Sequence, residues 1–173
     1  LEFYSTDVYR SLEIPLAIIQ PGNIGELQES VRIAAGLGIS IVTRGGGASY
    51  TDAYLPTDPN SIIIDTSRLN KILEINEEDM YVTVEPGVTW AEMSAALAEK
   101  KLRTPFWGPF SGLKATVGGS TSQNSVSMGT SAYGGSPESV LCYEVVLASG
   151  KMIKTGSLAM ENSTPFFRNY GPD

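Results

Sequence analysis

The chain has 173 residues, is 42% hydrophobic and 18% charged, and carries a formal net charge of −7; this is about one globular domain, and its acidity argues against non-specific nucleic-acid binding. It contains one Cys and no His, which excludes an internal disulfide, Ser-His-Asp triads and histidine metal sites. Its apolar runs fall far short of the ~20 residues a membrane-spanning helix needs, and no signal peptide is visible, so the expectation is a cytoplasmic protein.

Residues 1–14 read as an irregular lead-in. Leu16–Gln20 is a short apolar strand stopped by Pro21-Gly22. Asn23 then caps a helix, with Glu26 as capping-box partner. Leu27, Val31, Ala34 and Ala35 give that helix one apolar face, and Gly36 and Gly38 end it. Ile39–Thr43 is the next strand, which completes a β-α-β unit with parallel strands.

Arg44-Gly45-Gly46-Gly47-Ala48-Ser49-Tyr50 follows. Consecutive glycines make a poor strand and a worse helix, but they permit positive φ and close backbone approach. Successive N–H groups can then converge on one point and bind an anion. Arg44 adds a cation at the edge, and Ser49 and Tyr50 add hydroxyls. Such a loop suits a pyrophosphate; a flexible surface turn is the plainer alternative. It departs from the Rossmann fingerprint, because no helix opens behind the glycines, and from a Walker loop, because no Gly-Lys-Ser/Thr follows. Ser61–Asp65 is a third strand, fully apolar at its centre.

Beyond a turn at residues 66–70, Lys71–Asn76 and Met80–Glu85 alternate as an antiparallel hairpin around Glu77-Glu78-Asp79. Thr89 and Glu92 form a second capping box, for a helix with Trp90, Met93, Ala96 and Leu97 as its core stripe to about Lys100. Phe106, Trp107 and Phe110 either line a pocket or cover the core. Ala115–Asn124 reads as a second glycine loop, with Gly118-Gly119 amid neutral hydrogen-bonding residues. Ser125–Pro137 continues as a polar, glycine-rich loop whose length favours ordering by a ligand. Val140–Ala148 is a long strand containing Cys142, a small buried hydrophobe. Ser149-Gly150 is a two-residue hairpin turn into Lys151–Thr155. The chain is irregular from Gly156, with Phe166-Phe167 docking on a core. Its start at Leu1 and its end after Asn169-Tyr170-Gly171-Pro172 read as a piece of a longer protein.

The order and spacing of Val42–Ser49, Val84–Val88, Ala115–Gly119, Asn124, Tyr133-Gly134 and Val140–Gly150 resemble one family. It is the flavin-binding domain of the vanillyl-alcohol oxidase and para-cresol methylhydroxylase superfamily, nearest the glycolate oxidase and D-lactate dehydrogenase flavin subunits. The resemblance implies an α+β, two-lobed FAD-binding domain. Residues 1–68 would form a small three-stranded α/β lobe, and residues 69–173 a mostly antiparallel sheet with flanking helices. Gly45, Gly46, Gly47, Ala48 and Ser49, with Arg44 and Tyr50, would wrap the FAD pyrophosphate. Pro86 and Gly87 would pass close by. Thr116, Gly118, Gly119, Ser122 and Asn124 would hold the cofactor from the other lobe, with Tyr133 and Gly134 nearby.

Some relatives carry a histidine bonded covalently to flavin where this chain has Ala48, so FAD bound non-covalently is expected through this loop. Many carry Gly-Gly where this chain has Asp52-Ala53. By the same resemblance, the protein is an FAD-dependent oxidoreductase oxidising a small alcohol or 2-hydroxy acid, and its catalytic acid–base residues lie outside this sequence. Two alternatives stand beside it: a ligand-binding module that has lost flavin, and a flavin subunit working with an iron–sulfur partner. Self-association is the other partner expectation; no metal site is expected.

Overall fold

The structure, a computed structural model, describes residues 1–7, 13–106, 108–109 and 111–165. Trp107, Phe110 and Phe166-Phe167 lie outside the described residues.

The first sheet is built from β1 (Ala17–Ile19), β2 (Ser40–Arg44) and β3 (Ser61–Asp65), with helix α1 (Ile24–Gly36) between β1 and β2. All pairing is parallel, but β1 and β2 do not touch: β3 lies between them, in the order β1-β3-β2. A strand with neighbours on both edges and cover on its faces is buried throughout, and all of β3 is buried. Val31 and Ala34 of α1 pack with Ile62 and Ile64 of β3 into one core. Asn23 Oδ1 caps α1 by accepting from the Glu26 N–H at 2.9 Å. Glu26 reaches back one residue further than a capping box requires, accepting from the Gly22 N–H at 2.7 Å.

The antiparallel part consists of two separate pairs. In the first, β4 (Ile72–Asn76) pairs with β5 (Tyr81–Val84); in the second, β6 (Glu144–Val146) pairs with β7 (Met152–Lys154). Helix α2 (Trp90–Glu99) has the full Thr89–Glu92 capping box. It buries Trp90, Met93 and Leu97 in a second core with Val88, Phe106 and Ala115. Phe106 is therefore a core residue, edge-on to Trp90 at 5.2 Å between centroids.

Five expectations are corrected. The second glycine loop is a short helix, α3 (Val117–Ser122), because Thr116 caps it and neighbouring carbonyls take its first N–H groups. The polar loop after it contains another short helix, α4 (Thr130–Tyr133), and a 3-10 turn at Ser136–Ser139. The long strand shrinks to β6, since the Thr155 hydroxyl instead of a backbone carbonyl accepts from the Tyr143 N–H at 2.9 Å. Cys142 consequently precedes the strand and is half-buried. The hairpin turn has three residues, 148–150, between the bonded Leu147 and Lys151, with Gly150 at φ +78°.

The lead-in is also more regular than expected, with a 3-10 turn at Glu2–Ser5. The tip of the β6–β7 hairpin returns to α1, where Gln28 Nε2 donates to the Gly150 carbonyl at 2.9 Å and Val146 joins the first core.

Candidate functional site

The two glycine segments come together. Gly45-Gly46-Gly47 leaves the C-terminal end of β2 and lies directly on residues 114–119. A Cβ on Gly45 would strike the Thr116 hydroxyl, and one on Gly46 would overlap the Lys114 carbonyl. Of the three glycines only Gly47 has a positive φ, at +59°. Gly45 and Gly46 are therefore required by close approach rather than by left-handed backbone.

The loop is half-buried up to Ser49, and Tyr50 is exposed. Ala48 packs against the second core. Ser49 Oγ bridges the seam, accepting from Gln123 Nε2 at 2.9 Å and from the Thr51 N–H at 3.2 Å. The N–H groups of Gly46, Gly47, Ala48 and Ser49 donate no hydrogen bond among the described residues. A row of unengaged amides on a half-buried turn is a ready anion site. Asp52 holds a left-handed position at φ +56°; Asp is among the side chains that tolerate it.

The opposite wall is built differently. The first N–H groups of α3 are all used inside the protein: Val117 donates to the Val88 carbonyl, Gly118 to Pro86, and Gly119 to Thr116 Oγ1. Trp90 Nε1 donates to the buried Ser120 hydroxyl at 2.8 Å. The Ser122 hydroxyl donates back to the Gly118 carbonyl at 2.8 Å. What this wall offers a ligand is glycine surface and exposed polar groups, including Gln123 and Asn124. Gly118 touches Pro86, where a Cβ would come within 2.6 Å of Pro86 Cβ. Gly87 is buried against the carbonyls of Thr66 and Leu69. Gly134 turns the chain at φ +79° with Glu138 filling the space beside it, and Tyr133 is exposed beneath Arg103 at 5.7 Å.

Arg44 is not at the loop's edge. It is 5% exposed, behind the loop, with its guanidinium against Gly47. The Tyr54, Tyr4 and Phe3 rings lie 4.6, 5.1 and 5.6 Å from it. Its cross-strand partner in register is Asp65. Burial works to raise the Asp65 pKa, but hydrogen bonds from the Ser67 N–H, Gln20 and Tyr4 outweigh it and hold the carboxyl below its usual range. Burial, and then the bond to Asp65, push the Tyr4 phenol up. The sequence carries no signal for Phe3, Tyr4 or Tyr54 at this place, because their convergence depends on the lead-in folding back over the sheet. Gln123, by contrast, falls in the Ala115–Asn124 stretch singled out for its neutral hydrogen-bonding side chains.

These features fit FAD on their own terms: unengaged amides, a buried cation behind them and a close-packed glycine wall. Among the described residues no helix is long and apolar enough to cross a membrane.

A family described as "FAD binding domain" matches residues 15–156. The chain is 35% identical over 152 residues to the glycolate oxidase subunit GlcD of Bacillus subtilis, covering 88% of this chain and 32% of that protein. It is 28% identical over 157 residues to the mitochondrial D-lactate dehydrogenase [cytochrome] of Kluyveromyces lactis, covering 90% of this chain and 27% of that one. Among solved structures, p-cresol methylhydroxylase with substrate bound superposes with a TM-score of 0.80 at 26% identity, over 98% of this chain and 34% of that chain. The chain thus spans about a third of the length of the curated relatives it matches.

Proposed function

The chain belongs to the FAD binding domain family, and from that premise we propose that it is the cofactor-holding part of an oxidoreductase acting on a small alcohol or 2-hydroxy acid. FAD supplies the acceptor for the hydride the substrate loses; the protein's part is binding and orientation. The observation that carries the reading is the row of unengaged N–H groups from Gly46 to Ser49, held against α3 by side-chain-free contacts.

In this reading Gly45, Gly46, Gly47, Ala48, Ser49 and Tyr50 hold the pyrophosphate, with Arg44 behind them. Pro86, Gly87, Thr116, Gly118 and Gly119 form the packed wall. Ser122, Asn124, Tyr133 and Gly134 border it. Ala48 offers no nucleophilic nitrogen, so attachment through this loop is non-covalent. The substrate class follows the names of the relatives, a glycolate oxidase subunit and a D-lactate dehydrogenase. A second reading, a flavin subunit within a multi-component complex, rests on the first of those proteins being named a subunit.

The test is a visible absorption spectrum of the full-length protein after incubation with FAD and desalting. A retained flavin spectrum, released on denaturation, is the expected outcome. A colourless protein that cannot be reconstituted would overturn the assignment in favour of a module that has lost flavin.

A further inference from the structure

Arg44 presents a physical problem that the fold alone does not resolve. Arg44 is buried, with only 5% of the residue exposed, and its guanidinium is a positive charge. Among the described residues it makes no ion pair, and Nη1 is buried without a hydrogen-bond partner. The carboxylate in register with it, Asp65, is already engaged by Tyr4 and Gln20, each at 2.9 Å, and by the Ser67 N–H. A buried charge is expensive unless something balances it. Tyr4 and Tyr54 supply ring faces, which attract a cation but carry no net negative charge.

Arg44 lies against Gly47, where an added Cβ would meet its Nη2, Cζ and Nε. In front of Gly47 is the row of unengaged amides.

Resting on the flavin-binding reading above, we propose that Arg44 is a fixed counter-charge for the cofactor's diphosphate, acting from behind the loop. Tyr54 and the lead-in residue Tyr4 are then positioning residues of the flavin site. The charge works through a thin, low-dielectric layer of backbone, where it is poorly screened. The glycine at position 47 is what lets the guanidinium come so close. The lead-in turn thereby contributes to cofactor affinity: its Tyr4 ring fixes the guanidinium, and its Tyr4 hydroxyl occupies the carboxylate that would otherwise capture it.

The experiment uses the full-length protein, with FAD and riboflavin as probes, followed by flavin fluorescence at several salt concentrations. Arg44→Met should weaken FAD binding by about 30-fold or more, on the scale of a lost charge-assisted contact. It should leave riboflavin, which has no phosphate, within about twofold, and leave the salt dependence of FAD binding nearly unchanged, because a buried charge is poorly screened. Arg44→Lys should recover part of the loss. Tyr4→Leu should weaken FAD roughly tenfold with the same preference for FAD over riboflavin.

Equal weakening of both flavins would show a merely structural role and overturn the proposal, as would unchanged FAD affinity in Arg44→Met. Should that variant not fold, Tyr4→Leu decides in the same way. Wild-type protein that binds neither flavin would sink the flavin-binding reading itself; wild-type binding with insensitive variants would sink only this inference.

Discussion

Gly45-Gly46-Gly47 and Gly118-Gly119 meet at one seam, and each group needs glycine for its own reason. The first group sits past the end of a strand, has no regular hydrogen bonding of its own, and is shaped by what touches it from both sides: residues 114–119 in front and Arg44 behind. The second sits in α3, where each N–H already has a partner. Loop amides that donate to nothing can serve a ligand; helix amides that are spoken for can only form a surface. The same residue type thus marks a binding element on one side and a packing element on the other. Glycine richness alone does not separate the two.

Three substitutions would sharpen or break this contrast. The largest effect is expected from Gly46→Val. Its Cβ would fall on the Lys114 carbonyl, which is backbone and has no rotamer to yield. A stability loss of roughly 3 kcal/mol or more is expected, with loss of flavin retention; a denaturation midpoint equal to wild type would show that the seam is loose and the contrast mistaken.

Asp65→Asn should come second. An amide cannot accept from Tyr4, Gln20 and the Ser67 N–H together, so about 2 kcal/mol is expected to be lost near neutral pH. The sign with pH follows from the depressed carboxyl. Its stabilising contribution is complete above the unfolded-state pKa, about 3.9. It fades as pH falls through the lower folded-state value. Wild-type and variant midpoints should therefore converge in acid; curves that stay parallel would deny Asp65 this role.

The smallest effect belongs to Gly119→Ala. Its Cβ would meet only the Thr116 hydroxyl, at 3.1 Å, and the gain in helix propensity, up to ~1 kcal/mol, works against the crowding. A change within about 0.5 kcal/mol is expected in thermal melts. A loss as large as that of Gly46→Val would erase the distinction between the clusters.

Much of the architecture could be read from apolar patterning. The five residues of β3 announce a strand covered on both faces, and the position of β3 between β1 and β2 explains why they do. The Thr89–Glu92 box marked the start of α2 correctly. Patterning failed where tertiary partners override propensity. Val-Gly-Gly-Ser-Thr-Ser is a poor helix by composition; it becomes α3 because the Val88 and Pro86 carbonyls and the Trp90 indole hold it. Val140–Ala148 has strand composition along its whole length, but strand needs a partner, and β7 provides only three residues of one. In the site, the glycines and Ser49 were visible as motifs. The support behind them was not, because Tyr4 and Arg44 are 40 positions apart in sequence and no local pattern links them.

The Gln28–Gly150 contact has a consequence for how the molecule assembles. It joins residues 122 positions apart, and Gly150 is so close to Arg32 that an added Cβ would sit 2.8 Å from the Arg32 Cβ. Closing so long a loop carries an entropic penalty that must be met before the contact gives anything back. On a ribosome, α1 and β1–β3 emerge long before the hairpin that covers α1. The nascent sheet therefore waits with one helix face bare until β6 and β7 are made, and that interval is when a chaperone or a neighbouring chain has access to it.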